Sequence, residues 1–172
     1  MNGDGYADLL IGTFTYINNP GTVYMYSGNG SYGLSLAPQQ RRADNTAPIA
    51  NGGKSDSATS FRLTALGRSP FGRGMVKLEW EVKPLGTPFD GLGTQQSSTW
   101  VDSGAAGAAF NELVTGLSAN TVYHWRVRVR YHPATTPFQQ YSRWFTQPWN
   151  GWQEADFRTA AQTRLYLPLI MR

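Results

Sequence analysis

The chain has 172 residues, a formal net charge of +4 at neutral pH and no cysteine. That length allows one ordinary domain with a smaller unit beside it. Without cysteine there are no disulfides, no thiolate metal sites and no cysteine nucleophile. The basic residues are mostly Arg and are spread along the chain, whereas a nucleic-acid surface gathers them into a patch. No run approaches the ~20 apolar residues of a spanning helix. Residues Met1 to Tyr6 show neither the basic flank nor the apolar centre of a signal peptide. Short alternating runs recur between Gly, Pro, Asn and Ser clusters, and no helical period is sustained. This pattern predicts an all-β protein of the sandwich type.

The first stretch, Asn2 to Asp8, is a loop dense in oxygen ligands that runs directly into an apolar strand near 7–11. Asn2, Asp4 and Asp8 offer side-chain oxygens and Tyr6 a backbone carbonyl. Calcium takes several such oxygens from one tight loop, and glycine lets the backbone turn around the ion. A second strand is expected near 22–26, with Asn18, Asn19 and Pro20 at the turn. Residues Asn2–Gly12 and Gly21–Gly28 resemble an FG-GAP repeat, the blade unit of integrin-α-type β-propellers. The resemblance implies a calcium loop and a part in extracellular recognition or adhesion. The family's first ligand, an Asp two places before Asn2, would precede residue 1. Fewer carboxylates weaken calcium binding. The expectation for this chain is therefore a hydrogen-bonded turn with weak or absent Ca2+, the ion being bound by a longer parent. Residues 1–37 read as an incomplete blade, a hairpin whose companion blades lie upstream. An isolated hairpin is marginal in water. Leu9, Ile11, Val23 and Met25 must then pack on the next domain, pack on another chain, or stay poorly ordered.

Residues 38–58 are polar and broken by Pro38, Pro48, Gly52 and Gly53, which predicts a flexible linker. Thr46 to Ala50 is an alternative short edge strand, since proline is tolerated there.

From 59 to 159 alternation dominates. Phe61, Leu63 and Ala65 share one face of a strand, and Val76, Leu78, Trp80 and Val82 share one face of the next. Lys77, Glu79, Glu81 and Lys83 point the other way. Residues 84–98 read as a Gly/Pro/Ser/Gln loop, followed by short strands at Trp100–Val101 and Phe110–Leu117. The strongest signal is Thr121–Tyr131, where Tyr123, Trp125, Val127, Val129 and Tyr131 alternate with His124, Arg126, Arg128 and Arg130. Successive side chains of a strand point to opposite faces, so one face enters a core and the other faces water. A last strand is expected near 154–159. Residues Leu117 to Tyr123 resemble the tyrosine corner of fibronectin type III domains, with Ala119 where that family usually has proline. The resemblance implies an antiparallel β-sandwich over about a hundred residues, with Trp80 as its buried tryptophan. No Arg-Gly-Asp loop is present.

Two groups of residues suggest sites. The Arg126, Arg128, Arg130 stripe suits phosphates or an acidic polysaccharide. The competing reading is internal: if strand 75–83 neighbours strand 121–131, Glu79 and Glu81 face Arg126 and Arg128, a common sheet device. The stretch from Tyr141 to Trp144, with Trp149 and Trp152, is rich in aromatics. These rings suit either stacking between the arginines, which resembles the ladder of cytokine-receptor fibronectin domains, or a platform for sugars. His124 and His132 are too isolated for a metal site, and no nucleophile arrangement stands out. Residues 160–172 form a short apolar tail that resembles the Tyr-Leu-Pro-Leu ends of some exported bacterial proteins; docking of Leu167 and Ile170 is the plainer expectation.

The combined expectation is a non-enzymatic extracellular recognition or adhesion module, the C-terminal part of a larger secreted or surface protein, with a protein or glycan ligand and no nucleic acid. The alternative is a non-catalytic, carbohydrate-binding accessory region of a secreted hydrolase.

Overall fold

Apolar residues at every second position can be buried together only if strands pair into sheets and the sheets stack. The computed structural model describes residues 9–14, 21–26, 36–69, 72–104, 106–147 and 154–162. In chain order the strands are β1 (Leu9–Gly12), β2 (Val23–Tyr26), β3 (Gln39–Arg41), β4 (Gly53–Lys54), β5 (Phe61–Gly67), β6 (Met75–Pro84), β7 (Gln95–Gln96), β8 (Val101–Asp102), β9 (Ala108–Val114), β10 (Val122–Tyr131), β11 (Phe145–Thr146) and β12 (Phe157–Arg158). One sheet has the order β3-β5-β9. The larger has the order β4-β12-β10-β6-β7, with β11 also on β10 and β8 also on β6.

Both sheets feed one core. Phe61, Leu63 and Ala65 come from β5, Phe110 and Val114 from β9, and Val76, Leu78 and Trp80 from β6. Tyr123, Trp125, Val127, Val129 and Tyr131 of β10 are all buried there. Each large side chain so covered contributes about 1.5–3 kcal/mol. The architecture is all-β and layered, and among the described residues no helix is long and apolar enough to cross a membrane. At the start of β10 the backbone N–H of Ser118 donates to the Tyr123 hydroxyl at 2.7 Å. Asn120, which adopts φ +51°, lets the chain turn into the strand.

Residues 38–58 depart from the expected flexible connection. Gln39–Arg41 pairs with β5, and Gly53–Lys54 pairs in parallel with β12. Ile49 joins the core, as does Leu36 just before the stretch. Thr46–Ala50 contributes one bridge, Arg41 to Pro48, rather than an edge strand. The fixing element is Gln40, which is completely buried. Its amide nitrogen donates to the carbonyls of Ile49, Ala50 and Asp156 at 3.2, 3.1 and 2.7 Å. Its carbonyl accepts from the Trp125 indole at 2.9 Å. One polar residue thus ties the smaller sheet to β10 and to the approach to β12, an ordering force that a composition reading for apolar area overlooks.

The hairpin expectation is met by β1 and β2, paired antiparallel with Leu9 opposite Tyr26. Leu9, Ile11, Val23 and Met25 are 57%, 43%, 63% and 54% exposed, so the sandwich does not cover them. The turn at Asn18, Asn19 and Pro20 lies outside the described residues, as does the tail from 163 with Leu167 and Ile170.

Two outcomes test this packing. Gln40→Leu takes the acceptor from the buried Trp125 N–H and the side-chain donor from the Ile49 carbonyl, while the Ala50 and Asp156 carbonyls keep the N–H groups of Gly53 and Gly52; it is expected to cost about 2–4 kcal/mol in urea unfolding. Asp56 gives a pH signature. Burial alone would raise it, but N–H groups of Ala43 and Asp44 bind the carboxylate and leave its pKa below the ordinary value. Its contribution is complete above the unfolded value near ~3.9 and is lost as pH falls through the lower folded value. Asp56→Asn should therefore flatten the acid limb of Tm against pH in that window.

Candidate functional site

Strand β6 lies antiparallel on β10 in a register that sets Arg126 opposite Glu81, Arg128 opposite Glu79 and Arg130 opposite Lys77. Directly opposite residues share a face, so the polar side of the sheet becomes rows of facing charges. Arg126 donates through Nε and Nη2 to Glu81 Oε2 at 2.9 and 2.7 Å. Arg128 Nε donates to Glu79 Oε1 at 2.6 Å. The other oxygen of Glu81 accepts the backbone N–H groups of Asp90 and Gly91 at 3.1 and 3.0 Å.

This face was expected in water and is largely covered. Glu81 is 0% exposed and Glu79 6%. The 84–98 segment folds back over β6, because Glu81 captures its backbone and Lys83 holds Asp90 by an ion pair of 2.9 Å. His124 is also buried. Its Nε2 donates to the Thr87 carbonyl at 2.8 Å, and its ring stacks on Phe89 with 4.2 Å between centroids.

The second cover comes from residues 141–146, read from sequence as a loop. They run antiparallel along β10, with Thr146 opposite Arg126 and Phe145 opposite Val127. That register sets Trp144 opposite Arg128. The next bridge joins Tyr141 to Arg130, three residues from Trp144 against two on β10. The extra residue is a bulge, and it returns Tyr141 to the arginine face beside Trp144. Ser142 fills the gap. Its N–H donates to the Val129 carbonyl at 2.8 Å, and its hydroxyl accepts the Val129 N–H at 2.9 Å.

The result is a stack of cations and rings. Arg126 and Arg128 each lie 4.3 Å from the Trp144 centroid. Arg128 lies 3.8 Å from Tyr141, and Arg126 4.8 Å from Phe89. Two guanidiniums from alternate strand positions start roughly 6.8 Å apart along the strand, so the indole is interleaved between them. A guanidinium on a ring contributes about 0.5–2 kcal/mol, more where water is excluded. A sugar would have to displace a guanidinium to reach the Trp144 ring. Trp149 and Trp152 lie outside the described residues, as do Asn2, Asp4, Tyr6 and Asp8. Among the described residues no group of three or more His, Asp or Glu is gathered to hold a metal ion.

Between this stack and the 89–96 segment lies a groove of about 520 Å³. Arg126, Arg128 and Arg130 line it together with Thr94, Gln95 and Gln96. Sequence reading placed the arginines and Trp144 but missed Phe89 and the two glutamines. The available signal was a lone phenylalanine in a Gly/Pro loop, one strand away from an Arg stripe. No protein-family model, curated protein or solved structure matches the chain.

Removing Glu81 would strand a guanidinium and two N–H groups. Glu81→Ala is expected to cost about 3–5 kcal/mol in chemical denaturation. Breaking the exposed Arg73–Asp102 pair should leave the midpoint nearly unchanged. A double-mutant cycle on Arg128 and Trp144 should return a coupling of about 1 kcal/mol.

Proposed function

We propose that the sandwich is a fibronectin type III-like domain serving as a non-enzymatic recognition or adhesion module outside the cell. Residues 1–37 would form part of an FG-GAP repeat beside it. The strand order β3-β5-β9 against β12-β10-β6-β7 and the hydrogen bond from Ser118 to Tyr123 support the domain assignment. The observation that carries the functional reading is the groove. Its polar side chains are held by carboxylates, rings and backbone before any ligand arrives, and preorganisation of this kind lowers the ordering cost of binding.

The test is an array of soluble glycans, insoluble polysaccharides and extracellular proteins, read with the chain and with Thr94→Trp, which fills the groove. The expected result is binding to one class that falls about tenfold or more in the filled variant, at unchanged Tm. Insoluble polysaccharide as the bound class would favour an accessory region of a secreted hydrolase. Binding that ignores Thr94→Trp, or none at all, would remove the groove from the account.

A further inference from the structure

The polar face of β10 carries three arginines, and the register treats the third differently. Arg126 and Arg128 each meet a carboxylate, whereas Arg130 meets Lys77. Among the described residues no acid lies in ion-pair reach of Arg130 or Lys77. Their hydrogen bonds go to neutral acceptors: Arg130 Nη1 to Gln96 Oε1 at 2.8 Å, and Lys77 Nζ to the Ser98 carbonyl at 2.9 Å. Like charges on facing positions of a sheet repel. A guanidinium carries five N–H donors, and among the described residues Arg130 uses one.

We propose that Arg130, which lines the groove, and Lys77, which faces it across the sheet, form an oxyanion subsite at the groove's edge for the carboxylate or sulfate group of an acidic saccharide. The proposal rests on the groove being a recognition site and adds its ligand class. An oxyanion placed there relieves the repulsion between two cations and takes up the open donors of Arg130 in a charge-assisted geometry. Both cations also lie against one ring: Lys77 Nζ is 5.3 Å and Arg130 Cζ 5.9 Å from the Trp100 centroid. The half-buried Trp100 therefore flanks the two cations.

The remainder of the groove selects a saccharide. Thr94, Gln95 and Gln96 line it with uncharged donors and acceptors suited to hydroxyls. A volume of about 520 Å³ falls within the ~300–1,000 Å³ of small-ligand clefts. Two acids line it: Asp90 is ion-paired to Lys83 and bonded by its backbone to Glu81, and Glu79 is held by Arg128, whose Nε donates to its Oε1 at 2.6 Å. Glu81 faces Arg126, four residues from Arg130 and so about 13 Å along the strand. The anionic group is thereby directed to the Arg130 end. Single-stranded nucleic acid needs free aromatic faces for its bases, whereas Trp144 and Tyr141 already hold guanidiniums.

Calorimetric titration of the whole chain decides it. The probes are oligogalacturonate, its fully methyl-esterified form, a chondroitin sulfate hexasaccharide and a DNA decamer. Binding of oligogalacturonate or the sulfated oligomer is expected, and which of the two binds more tightly identifies the anionic group. Affinity should fall about tenfold or more in Arg130→Gln, in Lys77→Gln and on esterification. Tm should hold or rise in both variants, since each removes a like-charge contact. Equal binding of the ester would overturn the subsite while leaving the groove as a recognition site. Binding of DNA alone would overturn the saccharide. Binding of no probe, with the variants still folded, would overturn the subsite, and the array result then decides the groove separately.

Discussion

Glu81 and Glu79 on β6 meet Arg126 and Arg128 on β10 because a two-residue period on each strand is read in one register. A slip of one residue would bury the charges in the core and turn Trp125 and Val127 to the surface. The same register is therefore demanded twice, once by the core on one face and once by charge on the other. Buried carboxylates are costly unless every lone pair is met. Here Glu81 is met by a guanidinium and by two backbone N–H groups of the following segment. That requirement draws the 84–98 segment over the sheet and makes one wall of the groove. The groove is thus a consequence of satisfying a buried charge.

The opposite wall has the same origin in packing. Arginines spaced two apart leave slots of ring thickness between them, and residues 141–146 fill those slots. A bulge and the Ser142 hydroxyl let Tyr141 and Trp144 both reach the arginine face while Val129 keeps its hydrogen bonds. On the core side Gln40 performs the complementary task, joining the smaller sheet to Trp125 through one hydrogen bond and to the carbonyls of Ile49, Ala50 and Asp156 through three more. Both layers of the sandwich are locked by polar contacts that accept almost no alternative geometry.

Much of this was legible from the residues. Strict alternation at Thr121–Tyr131 and at 75–83 foretold which side chains enter the core. The facing of Glu79 and Glu81 with the arginines followed from strand adjacency. Tyr123, singled out at the head of its strand, accepts the Ser118 N–H through its hydroxyl. What escaped was long-range. Gln40 and the 38–58 stretch are polar and proline-broken, and they are ordered by partners distant in sequence: pairing with β5 and β12, and the bond from Gln40 to a tryptophan 85 residues away. The cover over the polar face was missed because a Gly/Pro loop shows no period, and because a bulge hides the alternation of Tyr141 and Trp144. The outer face of a strand reads as solvent whenever its cover comes from irregular chain.

The three arginines hold unequal roles: two are structural members of a stack, and the third is open to a ligand. Side-chain NMR of the arginine Nε–H groups measures this difference directly. Slow exchange with water and ring-current shifts are expected for Arg126 and Arg128, and fast exchange for Arg130 in the free protein. Equal, fast exchange at all three positions would contradict these roles.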